Sequence, residues 1–114
     1  MERLFIYGTL APGRPNHGVV ADIPGDWVAA SMKGHLVNEG WGSELGCPGI
    51  VPSNEGEKVE GFLFSSSHLS QHWARLDDYE GTGYKRVPVL VSTESGQNVE
   101  AYVYALNQVE KSGL

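Results

Sequence analysis

Apolar positions recur along this chain with two periods, and the switch between them marks its elements. Residues 3–7 are a short run of apolar and aromatic side chains that stops at Gly8, which reads as a buried strand. Trp27 to Val37 alternates loosely around Gly34 and predicts a strand with a bend or bulge. Residues 49–52 read as a short strand, and the turn Asn54-Glu55-Gly56-Glu57 leads into another over 58–65. Tyr84–Thr93 sets Val87, Val89 and Val91 on one face. Val99–Leu106 does the same with Val99, Ala101, Val103 and Ala105, and Ser95-Gly96-Gln97-Asn98 joins the two as a hairpin. Only one stretch keeps a helical period. Leu69, Trp73 and Leu76 recur at intervals of four and three, with Ser66 or Ser67 placed to cap the N-terminus and Gly81 and Gly83 to end the helix.

Between these elements lie the Pro/Gly-rich segment Ala11–His17, a short helical turn through His17–Ala21, and a glycine-rich loop over Asn38–Gly49 that carries Trp41. Five or six strands with one packed helix make an α+β fold. A small curled sheet or partly closed barrel would leave few strand edges open. The 114 residues fit one domain spanning 1–114. Fifteen glycines and six prolines, without a repeat, indicate many turns rather than disorder.

Charge and composition narrow the function classes. A net charge of −6 with no Lys/Arg cluster argues against a nucleic-acid partner. No segment approaches the roughly 18 apolar residues of a membrane helix, and Met1 leads directly into a strand. A cytoplasmic protein without a membrane partner is the expectation. The single cysteine, Cys47, cannot form an internal disulfide and sits in a turn-like Gly46-Cys47-Pro48-Gly49 setting.

Glu80 is the first candidate for chemistry. Four residues beyond Leu76, it extends the apolar stripe, so helical geometry turns its carboxylate towards the core side. The helix C-terminus, the neighbouring Asp77 and Asp78, and burial all favour the protonated form, so a raised pKa is predicted, as suits general acid–base work. The alternative is a helix that ends by residue 79, with Glu80 in an exposed loop. Asp77 and Asp78 read as solvated or capping residues.

Tyr7-Gly8-Thr9-Leu10 is the second candidate. A glycine directly after a strand allows a sharp turn, and the N–H groups of Gly8, Thr9 and Leu10 can converge on a carboxylate or an oxyanion. An ordinary strand-ending turn has the same composition. Tyr84 and Arg86 share one strand face, where Tyr84 can wall a pocket and Arg86 can pair a substrate carboxylate or fix Glu80. A plain surface pair is the alternative. His68 and His72 are four apart, but no third or fourth ligand accompanies them, and neither a Gly-x-Ser-x-Gly elbow nor a phosphate loop is present. A metal site is not expected.

Taken together, these blocks resemble a known family. Tyr7-Gly8-Thr9-Leu10, followed by Gly13 and Pro15-Asn16-His17, is similar to the opening of the gamma-glutamyl cyclotransferase-like proteins, in particular the gamma-glutamylamine cyclotransferase and AIG2-like branch. Val59-Glu60-Gly61 resembles the middle block, and Leu76-Asp77-Asp78-Tyr79-Glu80-Gly81 with Tyr84-x-Arg86 resembles the second block. The resemblance implies a small mixed β-barrel of five to seven strands with one main packed helix. It also implies a cavity between the Tyr7–Leu10 loop and Glu80 in the catalytic position, with Tyr7, Gly8, Thr9, Leu10, Tyr84 and Arg86 around the substrate. The implied reaction cyclises a gamma-glutamyl group to 5-oxoproline and frees an amine, without metal or cofactor. A non-catalytic module binding an amino-acid-like ligand is the second reading, and a partner-binding protein the third. The segment Trp27–Pro52 matches the family least.

Overall fold

The computed structural model describes residues 2–7, 18–37, 49–81 and 83–106. Six strands are present: β1 (Glu2–Ile6), β2 (Asp26–Val37), β3 (Gly49–Pro52), β4 (Glu57–Ser66), β5 (Tyr84–Thr93) and β6 (Asn98–Leu106). A short helix, α1 (Gly18–Ala21), precedes β2. Helix α2 (Trp73–Glu80) lies between β4 and β5 behind a 3-10 turn at Leu69–Gln71.

The strands run in the order β3-β2-β4-β1-β6-β5, and β2 also pairs with β5, so β2, β4, β1, β6 and β5 close a five-stranded ring to which β3 is added. Closure rests on a short match, Ala30 with Thr93 and Ser31 with Ser92. The barrel is mixed: β1 runs parallel to β6, with Leu4 beside Tyr102 and Phe5 beside Val103, while the other pairs are antiparallel. Gly34, the predicted bend, is the residue at which β2 matches both Pro52 of β3 and Glu57 of β4. Gly61 lies where β4 crosses close to β1, and a Cβ there would run into the Ile6 carbonyl.

Strand alternation sorts the apolar side chains into two clusters. One gathers Phe5, Met32, Leu63, Val91, Ala101, Val103 and Ala105, with Val87, Val89 and Val99 packed against it, so the valine and alanine faces read from the sequence point into the same core. The other gathers Leu4, Ile6, Phe64, Leu69, Trp73, Leu76 and Tyr104, where the helical segment covers the opposite face of β1, β4 and β6. Trp27 stacks on Phe64 at 4.4 Å between ring centres, closing the side of this second layer.

The helical segment departs from the expected single helix. It begins as a 3-10 turn and becomes α-helical only at Trp73, and the His72 N–H donates to the Leu69 carbonyl at the junction. Ser66 prepares this entry: its hydroxyl accepts from the His68 N–H at 3.0 Å and donates to the Pro24 carbonyl. The stripe Leu69, Trp73 and Leu76 is buried as the spacing predicted. Gly81 ends α2 with φ +79°, ψ −173°, a conformation open in practice to glycine alone.

Candidate active site

Glu80 is the last residue of α2, inside the helix rather than in a loop beyond it. It is half-buried, and this desolvation of the charged form pushes its pKa up to about 7 from an ordinary 4.5. The apolar stripe is the cause: continuing the line of Leu69, Trp73 and Leu76 brings the carboxyl onto the covered side of the helix.

One turn earlier, Asp77 occupies a different environment. Partial burial works against its charge, but Arg86 and Tyr104 outweigh that and hold the carboxyl below the usual aspartate range. Arg86 Nε and Nη2 donate to the two carboxylate oxygens at 3.0 and 3.2 Å, and the Tyr104 hydroxyl donates to Oδ1 at 2.6 Å. The guanidinium lies over the Trp73 ring at 4.3 Å from its centre and over Tyr102 at 5.1 Å. Desolvation opposes its charge, but Asp77 more than compensates, and Arg86 stays firmly protonated. The acid that Arg86 holds is therefore Asp77.

Tyr104 links this cluster to the start of the chain. Burial, together with the carboxylates of Asp77 and Glu80, keeps its phenol protonated. Its backbone carbonyl accepts the Tyr7 hydroxyl at 2.9 Å, and the same hydroxyl accepts the Ile50 N–H at 3.0 Å. Tyr7 thus ties the end of β1 to β6 and β3, at the point where the chain leaves for the Gly8-Thr9-Leu10 segment. A cleft of about 570 Å³ borders the end of α2; Asp77, Gly81, Tyr84, Arg86 and Tyr104 line it, and Glu80 and Tyr7 do not. A larger groove of about 1300 Å³ runs across β2, β4 and β5, but none of Tyr7, Glu80, Tyr84 or Arg86 lines it.

Of the residues singled out from sequence, Tyr7, Glu80, Tyr84 and Arg86 stand around the β6 and α2 ends. Gly8, Thr9, Leu10, Trp41 and Cys47 lie outside the described residues. Asp77 and Tyr104 were not singled out as members of the site. The one available signal was the placing of an aspartate and an arginine in the same second block, each of a charge the other can satisfy. No trio of His, Cys, Asp or Glu that could hold a metal ion occurs among the described residues. No described helix is long and apolar enough to cross a membrane.

A closed mixed barrel of five strands, with a sixth strand added and a helix packed on it, is the gamma-glutamyl cyclotransferase-like fold. The solved protein YkqA from Bacillus subtilis is similar at 30% identity and a TM-score of 0.70, over 93% of this chain. This chain spans 36% of the length of YkqA. A mouse AIG2-like protein is similar at 25% identity and a TM-score of 0.66, with 98% of this chain and 81% of that one covered. A gamma-glutamyl cyclotransferase shares the fold at 19% identity and a TM-score of 0.63, with 96% and 68% covered. No curated protein matches the chain. The chain belongs to the gamma-glutamyl cyclotransferase, AIG2-like family, whose family model matches residues 4–114.

Proposed function

We propose that this protein is a cofactor-independent cyclotransferase that converts a gamma-glutamyl amine or conjugate into 5-oxoproline and a free amine, with Glu80 as general acid and base. The observation that carries the reading is the half-buried Glu80 carboxyl, whose proton affinity is balanced near neutral pH. Membership of the family supports the reaction class.

A gamma-glutamyl compound contains its own nucleophile. Its α-nitrogen attacks the γ-carbonyl carbon, a C–N bond closes the five-membered ring, and the bond to the leaving nitrogen breaks. Of the three protons on the α-ammonium, one stays in the lactam and two end on the released amine. Intramolecular attack supplies an effective concentration on the order of 10⁵ M when the chain is held folded. An α-amine of pKa about 8 is mostly protonated at neutral pH, so a base must first accept a proton. Glu80, ionised for about half the time near pH 7, accepts it and returns it to the leaving nitrogen. The backbone N–H groups of Gly8, Thr9 and Leu10 hold the substrate carboxylate or the developing oxyanion, an interaction worth about 3–4 kcal/mol per donor. Tyr84 walls the pocket, and Arg86 contributes positive charge to its rim.

The test is incubation with a panel of gamma-glutamyl amines, dipeptides and conjugates, with 5-oxoproline read by mass spectrometry. Wild-type protein turns over at least one of them, and Glu80→Gln loses at least about 10²-fold in rate. Equal turnover by the variant would discard the role of Glu80. Binding of panel members without any turnover would favour a ligand-binding module on the same fold.

A further inference from the structure

We propose that Asp77 and Tyr104 are positioning residues: together they lock the end of helix α2, which carries Glu80, to the end of β1, from which the Gly8–Leu10 segment departs. The proposal rests on the reading of Glu80 as the acid and base.

The connection is short and continuous. Asp77 stands three residues before Glu80, about 4.5 Å along the helix axis. Its carboxylate is gripped from β5 by two bonds from Arg86 and from β6 by the Tyr104 hydroxyl at 2.6 Å. The carbonyl of the same Tyr104 receives the Tyr7 hydroxyl at 2.9 Å. One residue of β6 therefore touches the helix through its side chain and β1 through its backbone. Glu80 lies close enough to Tyr104 for its charge to act on the phenol.

The need for such a tie follows from how the helix is held. Leu69, Trp73 and Leu76 fix its first part in the core, but the apolar stripe ends at Glu80, and Gly81 immediately turns the chain away. Apolar packing is non-directional and sets no side-chain angle. Directional bonds to a charged acceptor do. Arg86 is itself oriented by the faces of Trp73 and Tyr102, so the acid is held from a fixed point rather than by a flexible side chain. Arg75 offers the contrast: its pair with Asp22 also involves α2, but both side chains of that pair are exposed, whereas Arg86 is three-quarters covered.

The experiment compares Tyr104→Phe, Asp77→Asn and their double variant with wild type, on whichever panel substrate turns over. Folding is followed by circular dichroism and 5-oxoproline binding by calorimetry. Tyr104→Phe keeps the ring, the backbone carbonyl and the bond from Tyr7. It is expected to stay folded and to bind 5-oxoproline at full stoichiometry, with kcat lowered about tenfold and KM within about twofold of wild type. Asp77→Asn also loosens the pair with Arg86 and falls at least as far, and the double variant loses less than the product of the two single losses, because the two share the Tyr104–Asp77 hydrogen bond. Arg75→Gln turns over as wild type does. Wild-type kcat in Tyr104→Phe would overturn the proposal. So would a kcat that falls only in step with binding stoichiometry, since that is the mark of lost folded protein. If Glu80→Gln is inactive while Tyr104→Phe is unimpaired, the positioning role alone fails. If Glu80→Gln is fully active, the acid–base reading fails and takes the positioning role with it.

Discussion

A glutamate one step before a glycine at φ +79°, at the end of an apolar stripe, is a charged group in a place that disfavours charge. The consequence extends to stability. Glu80 in the folded chain keeps its proton up to about pH 7, whereas the unfolded chain releases it near 4.5. Between those values the folded state binds more protons, so stability falls as pH rises through that window. Each tenfold change in proton affinity is worth about 1.4 kcal/mol, and the whole gap amounts to about 3 kcal/mol. Urea denaturation of wild type and Glu80→Gln at pH 5 and pH 8 should therefore show the variant gaining up to about 3 kcal/mol on wild type at the higher pH. A difference that does not change with pH would refute the proton affinity assigned here. Spacing offered this carboxyl the covered side of the helix or an exposed loop beyond it, and a helix that runs through residue 80 decides for the first. Asp77 is exposed, as its reading as a solvated helix residue has it, but its partners Arg86 and Tyr104 come from two strands later in the chain and left no local mark.

At the scale of elements, the strands were legible because alternation leaves a local mark. β5 and β6 match the expected valine and alanine faces, and the observed bounds differ from the expected ones by a residue at most. The helical segment was legible in its buried face but not in its form. A period of three to four residues fits a 3-10 turn followed by a short α-helix as well as one continuous helix, and the junction at His72 is set by Ser66 and the turn it organises. Its end is set by Gly81. Replacing Gly81 with Ala forces a side chain into a backbone region that excludes it, at about 1–3 kcal/mol. The loss should appear as a lower urea midpoint with an unchanged slope. Unaltered stability would mean that the helix end relaxes freely, contrary to a Glu80 held in one place.

For the whole molecule, what the sequence could not carry is closure. The ring is completed by two residue pairs between β2 and β5, whose members lie more than sixty positions apart in the chain, and such a match leaves no local pattern. Closure brings the end of β1, the start of β3, the end of β6 and the end of α2 together, through Tyr7, Ile50, Tyr104 and Asp77. The central claim is that a carboxyl balanced near neutrality serves ring closure at this junction. The most direct test is kcat/KM for 5-oxoproline release between pH 5 and pH 9, which reports ionisations of free enzyme and free substrate. Wild type should show a limb that rises through about pH 7 and is absent from the residual activity of Glu80→Gln. A wild-type profile flat from pH 5 to 8, or the same limb surviving in the variant, would contradict it.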